Sequence, residues 1–308
     1  MPKNLLIALF LLICKVVPAQ LTYQTLQVDY DSAKTFKNLK IIPIRFKGPG
    51  DGRIRPEIIS LNKALQQGLA VVSERGTAST ENVHWLRINN NSNKAIFVGS
   101  GEVILGGRQD RMTSKDTIML ASQPRMQIAV MCAEEGRWSD KEKKFQYQHQ
   151  ANMRLRKVLD RSKNQVNIWR EIYNQLDRDK VKNTTFAYLS RRQDKNYAAA
   201  EKEYFDFFKN RIKNQDSTIV GVICVSGNQV IGSDIFAGTN LFYSEFSSLI
   251  YGYIQDAIVF GSPPKLWDVR VKEYTDKFLK DEISQELWLK DNGKLYKYQG
   301  KVFHLTSY

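Results

Sequence analysis

Histidine and cysteine are scarce in this chain, three of each among 308 residues. His84, His149 and His304 stand far apart, and no two cysteines have the C-x-x-C spacing of zinc or redox motifs. A dedicated zinc site is therefore not expected. No cofactor motif takes its place, since the chain has neither a GK[ST] phosphate loop nor a GxGxxG fingerprint. Internal repeats are absent. Past the N-terminus no segment stays apolar for ~20 residues, so no transmembrane segment is expected. Long runs of one charge are missing too. The chain carries +14, but its basic residues are mixed with acidic ones, which argues against specific nucleic-acid binding. A surface of this sign still attracts polyanions in general.

What is present begins with a leader. Lys3 is a short positive region, Leu5 to Ile13 an apolar core, and Val17-Pro18-Ala19 puts small residues at −3 and −1 of a signal-peptidase site. Cleavage before Gln20 is expected, with residues 1–19 lost and the product periplasmic or secreted. Ile13 stands before Cys14, where a lipoprotein signal needs a small residue. Removing Lys3 and Lys15 leaves 44 of 46 basic residues against 32 acidic ones, so the mature form is near +12. Cys14 leaves with the leader. Cys132 and Cys224 remain, each within an apolar run (AVMC, VGVIC) that reads as buried strand. One disulfide or two buried thiols both fit, since spacing does not show whether the two approach.

Hydrophobic residues make up 42% of the chain, enough for a proper core. From Leu39 to Val130 short apolar runs alternate with turn signals, which predicts mostly antiparallel strands. Asn89 to Asn93 is turn chemistry suited to a hairpin. One helix interrupts, capped by Ser60 and ended by Gly68. Residues 141–180 and 196–213 read as amphipathic helices, with Val158, Val166, Trp169, Ile172, Tyr173 and Leu176 as the first apolar stripe. Strands return at 218–237 around the Ser226-Gly227-Asn228 turn, followed by an apolar helix from Phe242 to Val259. The tail suggests a helix near 269–283 and a strand pair at 286–304. The expected fold class is α+β, with a β-rich N-terminal half and helices of the second half packed over it. The expected division is a leader at 1–19, one domain over 20–262, and a basic, aromatic C-terminal extension over 263–308.

Two polar clusters carry the chemistry. In Gly101-Glu102-Val103-Ile104-Leu105-Gly106-Gly107-Arg108-Gln109-Asp110-Arg111 the glycines allow close backbone approach to a ligand. Glu102 and Asp110 offer acid–base groups, and Arg108 and Arg111 offer forked donors for phosphate or carboxylate. A hairpin whose Glu and Arg residues pair with each other fits equally. In Cys132-Ala133-Glu134-Glu135-Gly136-Arg137-Trp138, Trp138 offers a stacking face and Arg137 an anion contact. The plainer reading is a Trp plugging the core edge with Arg137 lying on it.

These two motifs, with ISLNKALQQGLAVVSE (59–74), NQVNIWREI (164–172) and VGVICVSGNQVIGSDIF (220–236), resemble the ARG and rhodanese-phosphatase-superfamily-associated protein domain family, where ARG denotes ADP-ribosylglycohydrolase. The resemblance covers roughly residues 36–258 and carries no assigned activity. It implies a link to NAD and ADP-ribose metabolism by association only. The motif positions carried over are Glu102, Gly106, Gln109 and Arg111, then Cys132, Glu134, Gly136, Arg137 and Trp138, with Glu74 joining them.

The expected function is binding of a small anionic, hydroxylated ligand. Gly106, Gly107, Gln109, Asp110, Arg111, Arg137 and Trp138 would hold it, and Glu102 and Glu134 would be candidate catalytic carboxylates for hydrolysis at a glycosidic-type carbon. Cys132 is a poor nucleophile candidate, being buried in sequence context with no His nearby. No cofactor and no metal are implied. The alternative is an envelope structural or protein-interaction protein in which the same residues form an internal salt-bridge network.

Overall fold

The computed structural model describes residues 20–48, 58–77, 79–80, 82–121, 123–212 and 216–308. The leader read from residues 1–19 lies outside the described residues. In chain order the first half contains β1 (Leu26–Val28), β2 (Lys34–Phe36), β3 (Leu39–Phe46), β4 (Ile58–Ser60), α1 (Leu61–Gln66), β5 (Ala70–Ser73), β6 (Trp85–Asn90), β7 (Ala95–Val98), β8 (Glu102–Gly107), β9 (Arg111–Thr113), β10 (Thr117–Met119), β11 (Arg125–Cys132) and β12 (Lys143–Gln150). The second half contains α2 (Met153–Ser162), α3 (Gln165–Arg178), a 3-10 turn at Tyr188–Gln193, α4 (Lys195–Arg211), β13 (Ile219–Ser226), β14 (Gln229–Phe236), α5 (Thr239–Val259), α6 (Asp268–Leu279), α7 (Glu282–Asn292), β15 (Gly293–Tyr298) and β16 (Lys301–Ser307). The fold is α+β.

Three sheets are formed among the described residues. The largest runs β1-β3-β13-β14-β16-β15, with β2 also on β3; the second runs β12-β8-β9-β11-β6-β5, and the third β10-β7-β4. Every pairing is antiparallel except β4 with β7. β13 explains the layering of the large sheet. Its run IVGVICVS is buried throughout, as suits a strand covered on both faces. Val222 and Cys224 join α5 in one apolar cluster, while Ile223 and Val225 join Val271, Phe278 and Leu279 of α6 and Leu289 of α7 in another. α1 packs among the second and third sheets through Leu61 and Ala64. α2 and α3 cover β8 and β9 through Leu155, Leu159, Ile168, Ile172 and Leu176 against Val103 and Met112. Each such burial contributes ~1.5–3 kcal/mol.

Local signals act as expected at several points. Ser60 Oγ accepts from the Lys63 N–H at 3.2 Å and caps α1, and Gly68 follows with φ of +69°. The turn at Gly227 joins β13 and β14 as a hairpin. Elsewhere the structure differs. Residues 143–150 form β12, not helix, because Phe145, Tyr147 and His149 alternate with polar partners along a strand paired to β8. The Asn89–Asn93 turn is a corner between sheets. Asn90 ties it internally, donating to the Lys94 carbonyl at 2.8 Å and accepting from Ser92, while β7 pairs with β10 and β4. On α3 the buried stripe is Ile168, Ile172 and Leu176, and Val166 and Tyr173 stand 56% and 50% exposed. A second tail helix, α7, capped by Asp281 on the Ser284 N–H, continues through 286–292, where strand was expected. The residues beyond 263 build β15 and β16 into the large sheet, with β16 beside β14. Cys132 and Cys224 are both buried and free.

Candidate functional site

The glycine-rich motif is the β8–β9 hairpin. Gly106 and Gly107 both have positive φ, +119° and +52°, where a side chain is strained. A Cβ on Gly107 would also overlap the Phe145 ring and the Glu74 carboxylate. The turn brings Asp110 back so that its carboxylate accepts from the Gly106 N–H at 3.0 Å. Burial first, and Glu134 nearby, raise the Asp110 carboxyl. Arg137 then locks the hairpin. Its Nε donates to Glu134 at 2.6 Å and its Nη2 to Asp110 at 2.7 Å. Its remaining donors meet the carbonyls of Gly106, Gly107 and Arg108, each at 3.2 Å.

Arg111 is fully buried. It donates to Gln109 Oε1 at 3.0 Å and to Cys132 Sγ at 3.4 Å, faces Glu74 at 3.5 Å, and has the Trp138 ring 5.8 Å away. Glu74 also accepts from the Arg108 N–H at 2.7 Å. The Arg108 guanidinium meets the carbonyls of Ser139, Asp140 and Gly76, and Gln109 donates to the Glu135 carbonyl at 3.2 Å. The structure therefore brings together Glu74, Gly106, Gly107, Gln109, Asp110, Arg111, Glu134, Arg137 and Trp138. Arg137 is fully engaged there, whereas among the described residues Arg111 Nε and Nη2 find no hydrogen-bond partner, and Trp138, 40% exposed, stands at the outer side.

Glu102 is not among them. It opens β8, roughly 13–17 Å along the strand from Gly106 and Gly107 at ~3.3 Å per residue. There it faces Glu245 of α5 in a different, buried polar cluster. Neither glutamate has a hydrogen-bond donor for either side-chain oxygen; the Gly99 N–H lies near Glu102 outside hydrogen-bond geometry. Burial, and Glu245 beside it, raise Glu102 well above the usual carboxylate range, and burial pushes Glu245 up to about 8.

Around this pair three cations meet two carboxylates. His304 contacts Asp116 through Nδ1 at 2.7 Å and Asp234 through Nε2 at 3.2 Å. Arg156 forks onto Asp234 at 2.9 and 2.7 Å, and Lys294 meets Asp116 at 2.9 Å. Tyr253 and Thr306 hydroxyls also donate to Asp234. Against their burial, Lys294 and His304 hold Asp116 far down, and Arg156 and His304 do the same for Asp234. Burial works against the imidazolium, yet Asp116 and Asp234 raise His304. Gly101, with φ of +90°, lets Arg156 pass, because a Cβ there would sit 2.9 Å from Arg156 Cγ.

Sequence reading missed this network and a second feature, a cleft of about 640 Å³ between α2, α3, the β13–β14 turn and the end of α5. Arg154, Lys157 and Arg161 line it at i, i+3 and i+7 on one face of α2, and Arg170 joins them from α3. Among the described residues no salt bridge involves these four. Burial first, then Arg161 and Arg154, lower the Lys157 ammonium. Asp256 of α5 closes the floor. It is 4% exposed, its Oδ2 accepts from the Met153 N–H at 2.7 Å, and its Oδ1 has no partner. Burial pushes its carboxyl up to about 7. None of the motif residues lines this cleft. The available signals were charges set inside apolar runs, as in IGSDIF and FYSEFSSLI, and the basic period of MRLRKVLDR.

Among the described residues no group of three or more His, Cys, Asp or Glu side chains is arranged to hold a metal ion, and no described helix is long and apolar enough to cross a membrane. A search of the curated proteins and one of the solved structures each found no match. A family model, ARG and Rhodanese-Phosphatase-superfamily-associated Protein domain, matches residues 27–299. That match takes in both motifs and most of the tail, and the chain belongs to this family.

Proposed function

We propose that this domain binds an anionic, hydroxyl-bearing small molecule and that the α2–α3 cleft receives it. The observation that carries this reading is the convergence of Arg154, Lys157, Arg161 and Arg170 on one cleft, without salt-bridge partners among the described residues. Cations held together repel one another, and an anion relieves that repulsion while gaining charge-assisted hydrogen bonds. The family's association with ADP-ribosylglycohydrolases is compatible with a ligand from ADP-ribose metabolism. The leader from Lys3 to Ala19 supports action after export. Mass spectrometry of the secreted product should find Gln20 at its N-terminus, and an uncut chain would remove the export reading.

The glycine-rich and Cys132–Trp138 motifs are better read as the device that holds the β8–β9 hairpin, since Arg137 spends its donors on Asp110, Glu134 and three hairpin carbonyls. A thermal-shift screen tests the binding reading with phosphorylated sugars, nucleotides, ADP-ribose and acidic glycans. A ligand at 100 times its Kd should add about 2.7 kcal/mol of stability. The Lys157→Ala/Arg161→Ala variant should fold and lose the shift. An equal shift in that variant, or none with any anion, overturns the proposal.

A further inference from the structure

The cleft holds more than positive charge. Asp256 is a nearly buried carboxyl whose Oδ1 meets no protein donor, and such orphaned atoms ordinarily find a ligand or ordered water. Around it Asn167, Asn174, Ser226 and Gln229 line the same space. The amides of Asn167, Asn174 and Gln229 each offer donors and an acceptor, which suits hydroxyl groups on a ligand, while the Ser226 hydroxyl is engaged with Ser262. Of the two rings lining the cleft, Phe260 is already engaged. Phe260, at the cleft's edge, carries the Arg154 guanidinium 3.9 Å from its ring centroid and the Arg178 guanidinium at 4.7 Å. That is the distance at which a nucleobase would stack. The other ring, Tyr308, is held through its hydroxyl on Asp160.

Resting on the reading above, we infer that the cleft selects a phosphorylated sugar over a nucleotide, with the cations of α2 and α3 taking the phosphate and Asp256 taking a sugar hydroxyl. A hydroxyl suits Asp256 in either charge state. Ionised, the carboxylate accepts from the O–H; protonated, it donates to the hydroxyl oxygen. A phosphate oxygen satisfies only the protonated form, and beside the ionised form it would be repelled. The anion therefore belongs at the rim cations and the hydroxylated part at the floor. Phe260 in this arrangement carries the Arg154 and Arg178 guanidinium groups, which compete with a base for its ring.

Isothermal titration calorimetry on residues 20–308 can separate the parts, using ribose 5-phosphate, methyl phosphate, inorganic phosphate and AMP. Ribose 5-phosphate should bind at least about tenfold more tightly than methyl phosphate, the difference expected for one well-made polar contact. AMP should bind no more tightly than ribose 5-phosphate. Asp256→Ala removes the hydroxyl's partner and should bring ribose 5-phosphate close to methyl phosphate. The comparison of ligands on the unaltered protein stands even if that variant fails to fold. Equal binding of ribose 5-phosphate and methyl phosphate overturns the hydroxyl contact, and tighter AMP binding overturns the discrimination against bases. In both cases the anion-binding reading survives. Failure of all four ligands defeats that broader reading, and with it this one.

Discussion

Glu102 and Glu245 present four carboxyl oxygens to one another with no donor from the protein. Two ionised carboxylates cannot remain so placed, and a shared proton is the simplest means of satisfying both. The surrounding charges agree. Arg156, Lys294 and His304 are three cations facing the two carboxylates Asp116 and Asp234, so one negative charge on the glutamate pair makes the interior neutral. The sign of the pH dependence follows. Glu245 is raised from 4.5 to about 8, so between those values the folded chain keeps a proton that the unfolded chain has released. Stability from this proton is present below the unfolded value and is lost as pH rises through the folded one. The slope is about 1.4 kcal/mol per pH unit, or about 3 kcal/mol between about pH 5.5 and about pH 7.5. Other groups titrate too. His149, driven down to about 3 by burial and then Arg192, adds stability as pH rises toward its unfolded value of 6.5, whereas His304 acts in the opposite sense above it. Comparison with Glu245→Gln cancels these terms. The Gln amide can donate to Glu102 and imitate the shared proton without releasing it. Urea denaturation across the pH range should show the variant's slope flatter by about 1.4 kcal/mol per pH unit, making it relatively more stable on the alkaline side. Parallel curves for the two proteins would refute the shared proton.

Arg137→Ala should cost about 3 kcal/mol in urea denaturation, because Asp110 and Glu134 lose their common partner in a largely buried place; an unchanged midpoint would show that this arginine does not hold the hairpin. Gly107→Ala should cost about 3 kcal/mol or more, since positive φ and overlap with Phe145 and Glu74 act together, and a loss below about 1 kcal/mol in the same assay would contradict the tight turn. Both thiols of residues 20–308 should resist DTNB in the native protein and react once denaturant is added, because burial raises Cys132 and Cys224. Reaction of either thiol before unfolding would contradict its placement.

Much of the fold was legible in the chain because the signals are local. Alternation and β-branched residues marked β3, β11, β13 and β14; Ser60 marked the start of α1; Gly227 marked a hairpin. The apolar stripe Ile168, Ile172 and Leu176 differs from the expected one by a small rotation about the helix axis, which residue types alone do not resolve. β12 was misread because KKFQYQHQ is rich in polar residues, and its period of two matters only once β8 pairs with it.

The candidate site was legible only as residue types. That Arg137 and Asp110 share a constellation follows from a short hairpin and the strand beside it, and the two motifs did announce themselves. That Glu102 turns away from Glu134 to face Glu245 depends on how α5 packs against β12 and the strands around it, and His304 meets Asp116 across 188 residues. The sequence by itself determined the strand-and-helix pattern, because propensity, capping and turn chemistry act over a few residues. Tertiary structure alone decided which charges are paired, which are orphaned and which line a cleft, because a buried group's energy depends on neighbours that packing brings from distant parts of the chain.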